Sequence, residues 1–275
     1  MDQRISTILI IGATSGIGEG YARRFLAMGK KVIITGRRAD RLSALKKELP
    51  DLEAREMDAA DLASLPSQVD EILKAFPDID TVFLNAGMQT SFSFFDPSSI
   101  SDDAITNEIT TNLTSPIILS RLFMPHLASL AESGKPANLL LTTSGLAYIS
   151  FGFYPVYCPT QAAKHSFAVA LRQQVNSAGA EVKKNLAIVE IAPPYVDTAL
   201  DANHRARINE LQGGKDTLVP PMGLEEYLDK SMEGLMEFAA DGRLKKEVGV
   251  GIAQGGIDIW RGAFGPLLER LGIDA

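Results

Sequence analysis

Short β-favouring runs fall at residues 8–11, 31–35, 52–57, 81–84, 138–143 and 186–191, separated by longer stretches of mixed polar and apolar residues. Near-continuous apolar runs of this length are buried on both faces, as in a parallel sheet. The intervening segments 18–28, 41–49, 62–75, 105–130 and 161–177 are long enough for crossover helices. The alternation predicts an α/β fold built on a doubly wound parallel sheet. After about Pro193 the rhythm loosens: 201–212 is a polar amphipathic stretch, Gly213-Gly214 and Pro220-Pro221 punctuate a loop, and a helix is predicted over 224–239. A segment following the sixth strand lies near the carboxyl ends of the strands, where such folds bind ligands, so 195–240 is a candidate substrate lid.

Composition narrows the picture. The 275 residues, 45% hydrophobic, suffice for one substantial core, and no Pro/Gly/Ser-rich linker divides them, so 1–275 is expected to be a single domain. A formal net charge of -7 argues against nucleic acid or an anionic membrane surface as partner and leaves a small molecule. Cys158 has no second cysteine to pair with, and His126, His165 and His204 are too scattered for a zinc signature, so each is expected to be a packed or surface side chain. The apolar run 8–11 is too short for a signal peptide, and no run approaches the roughly 18 residues of a membrane span, so a cytoplasmic protein is expected.

Directly after the first strand stands Gly12-Ala13-Thr14-Ser15-Gly16-Ile17-Gly18, leading into a helix. Glycines here let the backbone turn tightly and let a pyrophosphate approach the amides of a helix N-terminus. Glycine-rich turns also precede helices for structural reasons alone, but the strand-loop-helix context strengthens the dinucleotide reading. Chain order then places Asp58 after the third strand, suited to an adenine edge, and Asn85-Ala86-Gly87 after the fourth. At the end of the second strand, Thr35-Gly36-Arg37-Arg38 offers no carboxylate to repel a 2′-phosphate and two guanidiniums to bind one, which favours NADP(H) over NAD. The plainer alternative is that Arg37 and Arg38 merely begin a solvated helix.

Together with Asn112 in a long helix, Ser144 after the fifth strand and Tyr157 thirteen residues later, these motifs resemble the short-chain dehydrogenase/reductase family, across roughly residues 5–200. The resemblance implies a Rossmann-type sheet. It also implies that Ser144 hydrogen-bonds a substrate carbonyl, that Tyr157 is the general acid/base and that Asn112 holds a helix kink and a relay water. Pro193, Val196 and Thr198 match the segment that flanks the nicotinamide. Two positions depart from the family: Ile11 stands for the usual threonine before the first glycine, and Gln161 for the lysine four residues after the tyrosine.

That second departure touches the chemistry. A tyrosine of unperturbed pKa near ~10 needs a nearby cation to transfer protons at neutral pH, and an amide carries no charge. Gln161 still offers hydrogen bonds to a ribose. Lys164 lies on the same helix side but a turn further on, and a solvated or interface lysine is the expectation for it. Tyr148 and Tyr154 are candidates to line the pocket, as are Phe92, Phe94 and Phe95, for which a buried aromatic cluster is the alternative.

Three readings follow. The leading one is an NADP(H)-dependent short-chain oxidoreductase acting on a carbonyl or alcohol of a hydrophobic small molecule. A second keeps the fold but performs a non-redox isomerisation, cyclisation or elimination. A third is a catalytically silent nucleotide-binding protein. The resemblance also implies a homodimer or homotetramer, for which Leu119, Leu122, Phe123, Leu127, Phe167 and Leu171 supply apolar faces that serve equally well as core.

Overall fold

The computed structural model describes residues 4–200, 202, 205, 220–239 and 242–273. Its centre is a seven-stranded sheet in the order β3-β2-β1-β4-β5-β6-β7, every neighbouring pair parallel. The strands are β1 (Thr7–Ile11), β2 (Lys31–Gly36), β3 (Leu52–Glu56), β4 (Thr81–Leu84), β5 (Ala137–Thr142), β6 (Leu186–Ala192) and β7 (Glu247–Gly249). Every residue of β1, β4 and β6 is buried, as their largely apolar character predicts, and the burial takes in the polar Thr7, Thr81 and Glu190 as well. The edge strand β3 instead exposes Arg55 and Glu56.

The two-residue period of a strand divides the core into two layers. Ile8 and Ile10 of β1 face a cluster with Tyr21, Phe25 and Phe83, whereas Leu9 and Ile11 face one with Phe123, Leu127 and Leu139. Crossover helices cover both faces: α1 (Gly16–Ala27), α2 (Ala39–Glu48) and α3 (Leu65–Ala75) come first. The helix predicted over 105–130 is two helices, α4 (Asp102–Ile109) and α5 (Ser115–Glu132), joined by a π-helical turn at Thr110–Thr114. Pro116 has no N–H to offer the Asn112 carbonyl, so the regular ladder is broken at that point.

After α6 (Tyr157–Ser177) and α7 (Ala180–Asn185), the chain adds α8 (Leu224–Met236), β7 and α9 (Ile252–Arg270). Sequence patterning did not anticipate β7 or α9. The strand is only three residues long, and α9 carries four glycines and Pro266, a composition that tertiary contacts must hold helical. Arg172 ties β7 to the sheet, with Nε donating to the Ile188 carbonyl at 3.1 Å and Nη1 to Glu247 at 2.5 Å. Gly256 lets α9 approach, since a Cβ there would lie 2.9 Å from Tyr148 Cβ.

Of the candidate lid 195–240, α8 packs Tyr227, Leu228 and Leu235 into the core against α1. Met222 bridges Val196. The stretch 206–219, including Gly213-Gly214, lies outside the described residues, as does His204. Leu119, Phe123, Leu127 and Leu171 prove to be core positions, while Leu122 and Phe167 are partly buried against the same cluster. Phe123→Ala should therefore cost about 3–5 kcal/mol of unfolding free energy in urea denaturation, and Leu122→Ala less than half as much.

Candidate active site

The loop after β1 is shaped by close approach. Gly12 N and Ala13 N both donate to the Thr35 carbonyl at 3.0 Å. Gly12 has φ +88°, and a Cβ there would come 2.6 Å from Ala86 Cα; one on Gly18 would come 2.3 Å from the Gly12 carbonyl oxygen. Neither position admits a side chain. The Ser15 side chain does not cap α1, so the first amides of the helix, from Gly16 and Ile17 onward, point out unsatisfied by it. The segment after β6 lies over this loop, with Thr198 Cγ2 3.5 Å from where a Gly16 Cβ would stand. Val196 is buried, and the Pro193 carbonyl accepts from Gly145 N at 2.8 Å.

Three hydrogen bonds run from this loop across the sheet to α6. Asn85 Nδ2 donates to the Gly12 carbonyl at 2.8 Å, Thr142 Oγ1 donates to Asn85 Oδ1 at 2.9 Å, and Lys164 Nζ donates to the Thr142 carbonyl at 2.8 Å. Lys164 is 2% exposed, which corrects the expectation of a solvated or interface lysine. Position 164 falls two turns beyond Tyr157 on the face of α6 turned to the sheet. Burial pushes its ammonium pKa down to about 7, against the pull of Glu190.

Arginines close the other side of the loop. Arg38 Nε and Nη2 donate to Thr14 Oγ1 at 3.0 and 2.6 Å, and Nη2 also to Ser15 Oγ at 2.6 Å. Arg37 is exposed beside it. Arg41, which sequence reasoning missed, donates to the Thr14 carbonyl at 3.3 Å and to Glu19 at 3.0 Å. Its spacing of three from Arg38 was the available signal. A Cβ on Gly36 would lie 2.5 Å from Thr14 Cγ2, so a carboxylate there would displace the loop. Asp58 Oδ1 accepts from Ala60 N at 2.9 Å and fixes the turn after β3.

At the opposite end, Ser144 Oγ accepts from Leu146 N at 3.1 Å. Tyr157 is buried in an apolar patch with Tyr154 and Cys158, flanked by Leu146, Phe151 and Phe153. Burial pushes its phenol pKa up, the Ser144 hydroxyl pulls it back, and Cys158 and Glu108 push it up further. No cation acts on it among the described residues. Gln161 is 2% exposed with Oε1 unpartnered. Asn112 sits in the π-helical turn, where Oδ1 accepts from Met88 N at 2.9 Å and Nδ2 donates to the Met88 carbonyl at 2.8 Å and to Thr160 Oγ1 at 3.3 Å. Its amide clamps the segment after Gly87 to α6.

The Tyr148 phenol donates to buried Glu190 at 2.8 Å, and His165 Nδ1 meets the other Glu190 oxygen at 2.8 Å. Phe92 is buried, whereas Phe94 and Phe95 are 73% and 100% exposed, so the three form no buried cluster, although the Phe92 and Phe94 rings meet edge-on at 5.2 Å. Tyr154 does stay at the site, its ring 6.2 Å from that of Tyr157.

A family model for short chain dehydrogenases matches residues 6–209. The chain belongs to this family. It is 34% identical over 268 residues to the uncharacterized oxidoreductase DltE of Bacillus subtilis (strain 168), a match covering 97% of this chain and 96% of that protein. An NADP-dependent 3-hydroxy acid dehydrogenase of Schizosaccharomyces pombe is 31% identical over 70% of this chain and 72% of its own. The closed form of serine dehydrogenase complexed with NADP+ shares the fold at a TM-score of 0.73 and 21% identity, covering 89% of this chain and 94% of that one. The relatives are named as oxidoreductases or dehydrogenases, which lends nothing to the non-redox and silent readings. No helix among the described residues of this short-chain dehydrogenase is long and apolar enough to cross a membrane.

The buried lysine has a consequence for stability. Its ammonium titrates near 7 in the folded chain and at the ordinary 10.5 when unfolded, so the unfolded state binds one more proton between those values. Stability therefore gains up to roughly 1.4 kcal/mol per pH unit as pH rises from 7 toward 10. Lys164→Met should remove that slope in denaturation curves measured at pH 7, 8 and 9.

Proposed function

We propose that this protein is an NADP(H)-dependent short-chain oxidoreductase acting on a carbonyl or alcohol of a hydrophobic small molecule, with redox turnover weakened by Gln161. The observation that carries the reading is the Tyr157 phenol held in an apolar patch with the Ser144 hydroxyl acting on it, on the same molecule as a glycine loop that excludes side chains at Gly12 and Gly18. The residues fit a nicotinamide cofactor. The Gly16 to Gly18 amides suit its pyrophosphate, Arg37 and Arg38 its 2′-phosphate, Asp58 its adenine, and Asn85-Ala86-Gly87 with Pro193, Val196 and Thr198 its remaining length. The orphaned Gln161 Oε1 is a buried acceptor in want of a donor, and a ribose hydroxyl supplies one.

When bound, that cofactor supplies the hydride that reaches the carbonyl carbon. Ser144 bonds the carbonyl oxygen and Tyr157 gives it a proton, so the product is the alcohol. Leu146, Phe151, Phe153 and Tyr154 exclude water and favour an apolar substrate. Gln161 occupies the family's lysine position without its charge. An opposite charge at close range lowers a pKa by roughly 1–3 units, about 1.4–4 kcal/mol, and Tyr157 lacks that help. A homodimer or homotetramer in the cytoplasm completes the reading, and light scattering at micromolar concentration checks the assembly.

Calorimetry should show tighter binding of NADPH than of NADH, with the preference lost in an Arg37→Ala, Arg38→Ala variant. Equal affinities in the starting protein would sink the cofactor assignment. Gln161→Lys should raise NADPH-linked reduction of a ketone panel by roughly tenfold or more while leaving cofactor affinity nearly unchanged. If the lysine variant reduces nothing while an unreduced product forms, the redox reading fails.

A further inference from the structure

Glu190 stands within β6 and has no exposed surface. A carboxylate inside a parallel strand is costly unless hydrogen-bond partners surround it, and an apolar side chain would serve the sheet better. Partners from two other segments meet it. Thr143 Oγ1 and the Tyr148 phenol both donate to Oε1 at 2.8 Å, and His165 Nδ1 meets Oε2 at 2.8 Å. The Tyr148 and His165 rings also meet edge-on, 4.9 Å apart. These two segments carry the two hydroxyls of the candidate active site. Thr143 directly precedes Ser144 and Tyr148 follows it by four residues, while His165 lies about two turns beyond Tyr157 on α6. Backbone bonds hold the chain on either side of Ser144, with Thr143 N donating to the Ile191 carbonyl and Gly145 N to the Pro193 carbonyl, both at 2.8 Å. Ser144 Oγ in turn accepts from Leu146 N at 3.1 Å.

We propose that Glu190 is a positioning residue whose carboxylate sets where the Ser144 hydroxyl stands relative to Tyr157. The turn after Ser144 is a single short 3-10 turn at Gly145–Ala147, which specifies little by itself. One oxygen of Glu190 accepts from both ends of the stretch 143–148, so the turn cannot open without stranding a buried hydroxyl. The other oxygen engages α6, so a slip of the turn along the helix of Tyr157 breaks that contact too. Two groups that act on one substrate oxygen must be held to a fraction of an ångström, and separate segments need a common anchor to achieve it. Glu190 acts through Ser144 and exchanges no proton with the substrate. The consequence for rate rests on the oxidoreductase reading; the grip on the turn does not.

Glu190→Met, close in length and without an acceptor, releases every partner. The double variant Thr143→Val, Tyr148→Phe frees the turn while leaving Glu190 with His165, and it decides the matter if Glu190→Met folds poorly. Amide hydrogen exchange reads the grip directly, because the Leu146 amide is bonded to Ser144 Oγ. Gly145 and Leu146 should exchange about tenfold faster or more in the double variant, while Leu9 and Ile10 of β1 keep their rates. Unchanged exchange at Gly145 and Leu146, or a rise that reaches β1 equally, overturns the proposal. In NADPH-linked reduction of 9,10-phenanthrenequinone the double variant should lose about tenfold in kcat and hold its calorimetric Kd for NADPH within about twofold. The glycine loop keeps its own hydrogen bonds through Asn85 and Arg38. In a Ser144→Ala background the same two substitutions should lower the residual kcat by less than about twofold, since the hydroxyl they place is gone. An equal loss in both backgrounds marks a merely structural role and overturns the proposal. A starting protein without turnover counts against the oxidoreductase reading, and the exchange rates still decide whether Glu190 holds the turn.

Discussion

A single run of hydrogen bonds, from the Gly12 carbonyl through Asn85 and Thr142 to the Lys164 ammonium, ties together the carboxyl ends of β1, β4 and β5 and the buried face of α6. Each member satisfies a polar group that the parallel sheet would otherwise leave stranded where its strands end. Because Gly12 approaches Ala86 so closely, the glycine loop and the segment after β4 are fixed in the same act. Tyr157 and Gln161 stand on the helix that the last member of this run anchors, so the hydroxyl end and the cofactor end of the site share one frame.

The electrostatics of that frame are unusual in sign. Lys164 is the cation nearest in sequence to the tyrosine on its helix, yet its ammonium is spent on a backbone carbonyl and weakened by burial. Tyr157 is influenced by a hydroxyl, a thiol and a carboxyl group, and by no positive charge among the described residues. Low dielectric around a buried phenol magnifies each of these neighbours. The site therefore holds the tyrosine protonated and a weak acid, without the cation that would ease its proton transfer.

A second polar cluster holds the later elements in place. Glu190 of β6, fully buried, accepts from Thr143 and Tyr148 and pairs with His165, whose ring meets Trp260 of α9 edge-on at 4.5 Å. Burial pushes the Glu190 carboxyl up, but His165, Arg172 and Tyr148 together hold it below the usual carboxylate range. This arrangement engages the Tyr148 phenol with Glu190 and fastens α9 to the sheet.

The sequence by itself determined the parallel sheet, the glycine loop and the positions of Ser144, Tyr157 and Gln161, because unbroken apolar runs and steric bans on side chains are local signals. Periodicity read 105–130 as one helix and only the family resemblance implied a kink at Asn112; Pro116 as the cause of the break is plain once the π-helical turn is seen. Folding decided what local pattern leaves open: that Leu119, Phe123 and Leu127 face the core, that Tyr148 turns toward Glu190, and that Lys164 and Glu108 are buried. A charged residue in a helix reads as solvated because most such residues are. Only the packing of distant segments against it removes the water and gives its charge a partner.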